Sequence, residues 1–330
     1  MDTKLILQFL RDVMANNNRP WFQQHKDVYL AAKEDFERGV AAAISRISTF
    51  DSSVAHIGVK DATYRFYRDT RFSPDKSPYK NHLGAYISAR GKKSLHGGYY
   101  IHLEPDYCML ACGSYWLPTN ILTSCRNEIM ANEEEWLKCV ESKEFIKYFG
   151  DSFEPCTERD SWGTKQGFGL EKLKTCPAGF PRDYAQVKYL RLKNYCCWHR
   201  VPNDFFEGDA WLKQMEIVFK AAKPMMDFMN SVISYAFTIL WIIATNTDGL
   251  DSPFFRFAQK IIDELILYQV HLLFNLSRCG CYLIFLDGST LNEKITIQHM
   301  PFFLIDYLFI VALIPIAGAQ YSLATQLRKI

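Results

Sequence analysis

The first fifty residues place apolar side chains at the spacing of amphipathic helices. One stripe predicts a helix over residues 3–15, and its members are Leu5, Ile6, Phe9, Leu10, Val13 and Met14. A second stripe predicts a longer helix from about residue 23 to residue 48, and the Arg-Pro-Trp-Phe stretch at 19–22 predicts an aromatic corner between the two. The chain therefore opens with two helices.

Between residues 63 and 112 the pattern changes to short runs of β-branched and aromatic residues, which are typical of strands. The runs that predict strands are 63–68, 83–89, 98–103 and 107–112. A basic tip at 90–93 and a tight turn at 104–106 connect the last three runs. Connections this short join antiparallel strands, because a parallel crossover needs a dozen or more residues. The pattern therefore predicts an antiparallel meander.

Helical patterning returns after residue 113. The predicted elements of this part are helices at 118–131, 132–141 and 143–149, a strand at 187–198 and a helix at 209–231. Ser142 is a plausible N-cap for the third helix, and residues 150–182 predict loops because they are rich in Gly and Pro. The fold class predicted is α+β, a mainly antiparallel sheet flanked by N- and C-terminal helices.

The composition changes near residue 233 and divides the chain into a domain at 1–233 and an apolar extension at 234–330. Residues 231–330 hold six Lys/Arg and seven Asp/Glu, against 32 and 29 in residues 1–230. The apolar run at 301–319 approaches the length of a bilayer span, although it contains Asp306 and Pro315. Three interpretations stay open: a membrane-associated tail, a buried helical extension, or a translated segment without evolved structure.

The overall charge and the cysteines limit the function classes. A formal net charge of +2 argues against a protein that coats polyanions generally. The ten cysteines include no C-x-x-C pair, so zinc-ribbon spacing is absent and buried, reduced thiols are expected. The N-terminal apolar stretch is too short and too interrupted by charge for a secretory signal. These features predict a cytoplasmic domain.

Charge is concentrated beside aromatic residues in the stretch from residue 64 to residue 80. Its cations are Arg65, Arg68, Arg71, Lys76 and Lys80, and its acids are Asp69 and Asp75. Pro74 favours a turn at 73–76, which would bring the two lysines back towards the arginines. Several cations in one region attract an anion, either an internal carboxylate or an external phosphate.

The same stretch resembles a known family. Residues 65–79, RFYRDTRFSPDKSPY, match the signature R-x-x-R-D-x-R-F, followed by an acidic or amide residue, Lys and Tyr, of the DUF2461 family. The signature positions are Arg65, Arg68, Asp69, Arg71, Phe72, Asp75, Lys76 and Tyr79. The similarity covers about residues 3–233. The resemblance implies a bacterial domain that has no assigned activity, cofactor or substrate, and the last hundred residues depart from it.

Three functions fit the charged stretch. The first is an anion-binding pocket for a phosphorylated small molecule, and its candidate residues are Arg65, Arg68, Arg71, Lys76, Tyr79 and Lys80. The second is an enzyme with Asp69 or Asp75 as acid/base. The third is a structural or interaction domain in which Arg68 pairs with Asp69, or Arg71 with Asp75. The first is our leading hypothesis, and no cofactor is expected.

Two further groups of residues are candidate sites. His82, His102 and a nearby carboxylate, Glu104, are conceivable metal ligands, but they lack a paired spacing such as H-x-x-x-H, so no metal is expected and core or surface histidines are favoured. The basic tip with Tyr99 and Tyr100 could touch nucleic acid, although a solvated hairpin is the simpler interpretation.

Overall fold

The structure is a computed structural model, and it describes residues 1–71, 73–150 and 166–247, with side chains in the last range as far as residue 235. The described residues form an α+β fold, as predicted. Their helices are α1 (Thr3–Ala15), α2 (Arg19–Gln24), α3 (Lys26–Ser48), α4 (Val59–Ala62), α5 (Thr119–Ala131), α6 (Glu133–Val140), α7 (Lys143–Phe149), α8 (Val187–Leu190) and α9 (Ala210–Thr247).

The strands form one five-stranded antiparallel sheet. They are β1 (Leu83–Ile87), β2 (Gly98–Leu103), β3 (Met109–Ser114), β4 (Gln166–Phe168) and β5 (Tyr195–Arg200). The order in the sheet is β1-β2-β3-β5-β4. The predicted meander is confirmed for β1 to β3, and Asp106, with a φ of 61°, makes the turn between β2 and β3. Pairing places Gly84 opposite His102, which brings the start of β1 to the end of β2.

The aromatic corner expected at residues 19–22 is instead the first turn of α2. Asn18 caps this helix, because its Oδ1 accepts a hydrogen bond from the Trp21 N–H at 2.9 Å. Pro20 is tolerated there because the first turn of a helix has no partner for its N–H groups. The long helix α3 therefore begins at Lys26 rather than near residue 23.

Two predicted strands are wrong in part. Residues 63–68 are extended but pair only at isolated positions, Thr63 with Ala85 and Tyr67 with Tyr79, because Pro78 opposite Arg68 has no N–H for a regular ladder. Residues 187–190 are helical and the strand begins at Tyr195. Buried Arg126 donates hydrogen bonds to the carbonyls of Leu190 and Leu192, at 2.7 and 3.0 Å, and removes those groups from any ladder.

Helix α9 packs against β3 and closes the core. All six side chains predicted to face inward are buried, namely Trp211, Met215, Val218, Ala222, Met226 and Met229. The seven cysteines in the described part of the chain have free thiols, and all except Cys176 are buried. Burial raises the pKa of the Cys125 thiol to about 12, so this thiol is unreactive at neutral pH.

The apolar extension lies mostly outside the described residues. Helix α9 continues past residue 233 to Thr247, and the run at 301–319 is outside the described range. Part of the predicted loop region, residues 151–165, is also outside it. None of the helices that the structure describes is long and apolar enough to cross a membrane.

Candidate functional site

The charged stretch forms a narrow loop beside the edge strand β1. We call residues 64–80 the signature loop. The Tyr64 N–H donates to the Gly84 carbonyl at 3.0 Å, which holds the start of the loop against β1. Hydrogen bonds from Arg68 N–H to the Pro78 carbonyl and from Lys80 N–H to the Phe66 carbonyl, both 3.0 Å, close its base. These bonds bring the two ends of the loop together beside β1.

Aromatic packing anchors this loop to the N-terminal helices. Phe66 and Tyr79 are each only 2% exposed, and the Tyr79 ring stacks on Phe22 with the ring centroids 4.0 Å apart. Asn17 fixes the backbone of Tyr79 by accepting from its N–H and donating to its carbonyl, at 3.1 and 3.0 Å. The alternation of rings and charges in the sequence thus separates an inner, packed side from an outer, charged side. Tyr79 belongs to the inner side.

Two arginines of the loop are paired with its two acids. Arg71 donates from Nε and Nη2 to the two carboxylate oxygens of Asp69, at 3.0 and 2.7 Å. Arg68 donates to Asp75, whose other oxygen accepts from the N–H and hydroxyl of Ser77. The pairing is the reverse of the one expected from the sequence, because the chain bends at Pro74 and returns Asp75 to Arg68.

These ion pairs lower the pKa of both carboxyl groups. Hydrogen bonds from Arg71 lower the pKa of Asp69 to about 2, and hydrogen bonds from Arg68 and Ser77 lower the pKa of Asp75 well below its ordinary value. A general acid or base works best when its pKa lies near the operating pH. Both groups are therefore poorly suited to proton transfer at neutral pH.

The surroundings of the other three cations of the loop, Arg65, Lys76 and Lys80, differ from those of the two paired arginines. Arg65 is 69% exposed and lies 4.0 Å from Asp69, which Arg71 already holds. Lys76 donates to the Thr70 carbonyl at 2.9 Å. Lys80 is half-buried, and its ammonium lies 5.3 Å from the centre of the Tyr64 ring. Within the described residues, neither lysine pairs with a carboxylate.

Lys80 is a cation of the loop whose pKa is lowered by its surroundings. Burial first, and then the charge of Arg65, lower the pKa of its ammonium. A half-buried cation beside a second cation is destabilised until an anion approaches both. Five cations and two acids give residues 64–80 a net charge of +3. The outer side of the loop is therefore a positive surface with two neutralised pairs within it.

A polar cluster lies next to the loop at the start of β1 and the end of β2. Its hydrogen bonds join the Tyr100 hydroxyl and His102 Nδ1 at 2.8 Å, His102 Nε2 and Glu104 Oε2 at 2.9 Å, Asn81 Nδ2 and Glu104 Oε1, and Asn81 Oδ1 and His82 Nδ1 at 3.0 Å. The His82 and His102 rings stack with their centroids 4.6 Å apart. We call these five residues the histidine cluster.

The histidine cluster is electrostatically coupled to the signature loop. Burial lowers the pKa of His82 to about 3, and the charges of His102, Lys80 and Arg68 add to this effect. The sequence held a signal for the cluster, because Tyr100, His102 and Glu104 alternate along one strand and so share a face. What it lacked was the register that sets His82 beside His102.

The basic tip at residues 90–93 folds back towards the loop. The Lys92 ammonium donates to the carbonyls of Lys60 and Thr63, at 2.9 and 2.7 Å, and lies 5.9 Å from the Tyr64 ring centre. Tyr99 is fully buried and cannot stack on a base. Tyr64, the ring beside Lys80 and Lys92, is 39% exposed, and Tyr67 on the same loop is 48% exposed.

Comparison with known proteins assigns the chain to a family. Searches among curated proteins and among solved structures found no match. The model of a family of conserved hypothetical proteins, DUF2461, matches residues 5–228, which include the signature loop, the histidine cluster and the whole sheet. The chain therefore belongs to the DUF2461 family of conserved hypothetical proteins.

Proposed function

We propose that the domain binds a phosphate-containing or other anionic ligand on the outer side of the signature loop. Lys80 and Arg65 are the principal contacts, and Arg71 and Lys76 lie at the rim. The observation that carries the proposal is the half-buried Lys80 beside Arg65, with its pKa lowered by burial and by that neighbour. An anion that contacts both cations would remove their repulsion and gain charge-assisted hydrogen bonds.

The ion pairs give the remaining candidate residues supporting roles. Arg68, whose carboxylate partner is Asp75, shapes the turn that returns towards Lys76. Tyr79 forms the packed floor under the loop rather than a direct contact. Arg71 donates to Asp69 but is 76% exposed, so its guanidinium can still approach a ligand from its outer edge. Preorganisation of this kind lowers the entropic cost of binding.

The exposed tyrosines favour a ligand that has a flat face as well as a phosphate. Tyr64 lies between Lys80 and Lys92, and Tyr67 is exposed on the same loop. A nucleotide could place its base on one of these rings and its phosphate on the lysines. Single-stranded nucleic acid is the second candidate, and it would show a steeper dependence on salt because more phosphates are contacted.

Two other functions receive less support. Acid/base catalysis by Asp69 or Asp75 is disfavoured by the lowered pKa of each carboxyl group. A purely structural role accounts for the pairs Arg68–Asp75 and Arg71–Asp69, but it leaves Lys80 and Arg65 without a reason to lie together. A cytosolic location is part of the proposal, and the free, mostly buried thiols of the described residues are consistent with a reducing compartment.

The proposal is tested by a thermal-shift screen of the full chain at low salt. The compounds are nucleotides, sugar phosphates, pyrophosphate and short RNA, each beside its unphosphorylated counterpart. A ligand at 100 times its Kd stabilises the folded state by about 2.7 kcal/mol. We expect a phosphorylated member of at least one pair to raise the unfolding midpoint when its counterpart does not. Equal midpoints within every pair would overturn the proposal.

A further inference from the structure

We propose that His82, His102 and Glu104 form a binding site for a divalent transition-metal ion, with Zn²⁺ and Fe²⁺ as the ions best suited to it. One ligand atom from each residue lies within 4.8 Å of the others. Two imidazoles and one carboxylate are a donor set that both ions accept. The inference goes beyond the anion-binding function, since none of the loop cations takes part.

Distances in the cluster are close to those of a metal centre. Bonds of about 2.0–2.2 Å from a metal to nitrogen or oxygen separate tetrahedral ligand atoms by roughly 3.4 Å. His102 Nε2 and Glu104 Oε2 are 2.9 Å apart, and the stacked His82 ring lies over His102. The three ligand atoms, now within 4.8 Å of one another, would have to draw together by side-chain rotation to bind one ion.

Each proposed ligand has its other polar atom held by an outer partner. Tyr100 holds His102 at Nδ1, and a metal ion would replace the hydrogen bond that now joins His102 Nε2 to Glu104 Oε2, with Nδ1–H then donating to the Tyr100 oxygen. Asn81 holds His82 at Nδ1 and Glu104 at Oε1, which leaves the second ring nitrogen of His82 and Glu104 Oε2. Metal-binding histidines and carboxylates are oriented in this way by outer hydrogen bonds.

The arrangement also indicates the type of metal site. Three protein ligands leave at least one coordination position for water or a substrate oxygen, whereas structural zinc sites are closed by four protein ligands. One carboxylate balances only half the charge of a divalent ion. The remaining positive charge would attract an anion as a further ligand of the loaded site.

The test uses the full chain, stripped with a chelator and titrated with Co²⁺, Zn²⁺ and Fe²⁺. We expect one equivalent of metal to bind. The absorption spectrum of the Co²⁺ form should be that of a site with nitrogen and oxygen ligands and should lack a cobalt–thiolate band. His82→Gln and Glu104→Gln should weaken binding at least about 100-fold, and Tyr100→Phe about 10- to 100-fold because it removes an outer partner. His96→Gln is the matched control, since His96 and His102 are both 6% exposed.

Three results would overturn the metal site: no binding of any of the three ions, equal binding by His82→Gln and the parent chain, or a cobalt–thiolate band. Circular dichroism reports whether each variant folds. If the variants do not fold, ¹⁵N spectra of the histidine rings in the parent chain still test the metal site. One equivalent of Zn²⁺ must shift the nitrogen resonances of two rings. Lys80→Met, which removes a cation of the anion site, should still bind one equivalent of metal. Loss of anion binding and loss of metal binding can therefore be told apart.

Discussion

At the scale of single residues, the nearest opposite charge determines what each charged group of the signature loop can do. Asp69 is held by Arg71, and Asp75 by Arg68. The sequence predicted which residues cluster, but it could not predict these pairs, because they depend on the bend at Pro74. Arg68 and Lys80 are both partly buried, but Arg68 has Asp75 as its partner and Lys80 has no carboxylate partner among the described residues, a difference that no local pattern in the sequence reports.

Asp69→Asn should strengthen the binding of phosphate-containing ligands. The change removes a negative charge near Arg65 and releases the Arg71 guanidinium from its bidentate pair. Because both groups are exposed and screened by solvent, we expect only a modest gain in affinity, up to about fivefold, by titration calorimetry. A catalytic Asp69 would instead show turnover that disappears in this variant, a result that would contradict our assignment.

Buried His96 should make the fold sensitive to acid. Its ring hydrogen-bonds Ser94 and Ser234, and burial together with the charge of Arg90 lowers its pKa from 6.5 to about 3. Between these values the unfolded chain binds a proton that the folded chain excludes, so the free energy of unfolding falls as the pH falls from about 6.5 towards 3.

The size of this effect can be measured against a variant. With pKa values of 6.5 in the unfolded chain and about 3 in the folded chain, the free energy of unfolding is about 2 kcal/mol lower at pH 5 than at neutral pH. In urea denaturation, the parent chain should lose about that much more stability than His96→Gln between neutral pH and pH 5. If both chains lose the same amount, the His96 ring is not excluded from protonation.

At the scale of elements, one-sided apolar stripes were the most predictable feature. The bounds of α1 and the inward face of α9 were predicted because burial of one helix face imposes its period on the sequence. Strand β4, with three residues, carries too little pattern to be predicted. The segment at 63–68 was misjudged because its pairing depends on Pro78 and Tyr79, more than ten residues later.

Strand β3 depends on a glycine where it approaches β5. Gly113 has a φ of 100°, and a Cβ built there would lie 2.2 Å from the Tyr195 carbonyl oxygen. Gly113→Ala should therefore cost at least about 3 kcal/mol of unfolding free energy, because backbone strain adds to a clash with main-chain atoms. Gly91→Ala is the control, since its φ is 75° but no atom lies within 4 Å.

The control separates conformational strain from close approach. Strain alone should cost Gly91→Ala roughly 1–2 kcal/mol. Denaturation with urea measures both variants on the same scale. Equal losses for the two variants would show that β3 and β5 can separate at Gly113 at little cost, contrary to the packing described.

At the scale of the whole molecule, the family domain and the apolar extension are distinct in composition, and we propose that they differ in role. The family model ends at residue 228, and charged residues are about half as dense after residue 230 as before it. We propose that the run at 301–319 associates with membranes. Insertion of Asp306 near the centre of a span would cost about 2.5–3.5 kcal/mol, which the surrounding Phe, Leu and Ile residues can offset.

Cell fractionation tests this proposal for the extension. The full chain should sediment with membranes, whereas a chain ending at residue 247 should stay in the cytosolic fraction. Alkaline washing of the membranes then separates a spanning segment, which stays in the pellet, from a surface association, which is released. An equal distribution of the two chains would exclude a membrane role for residues 301–319.

The affinity of Lys80→Met for pyrophosphate tests the central claim most directly. Titration calorimetry at low salt compares this variant with the full parent chain and with Lys138→Met, which removes the same charge from an exposed helical pair with Glu134. We expect the parent chain and Lys138→Met to bind within twofold of each other, and Lys80→Met to bind at least about tenfold more weakly, since charge-assisted hydrogen bonds contribute about 1.5–3 kcal/mol. Equal affinity of all three chains would contradict an anion site at the signature loop.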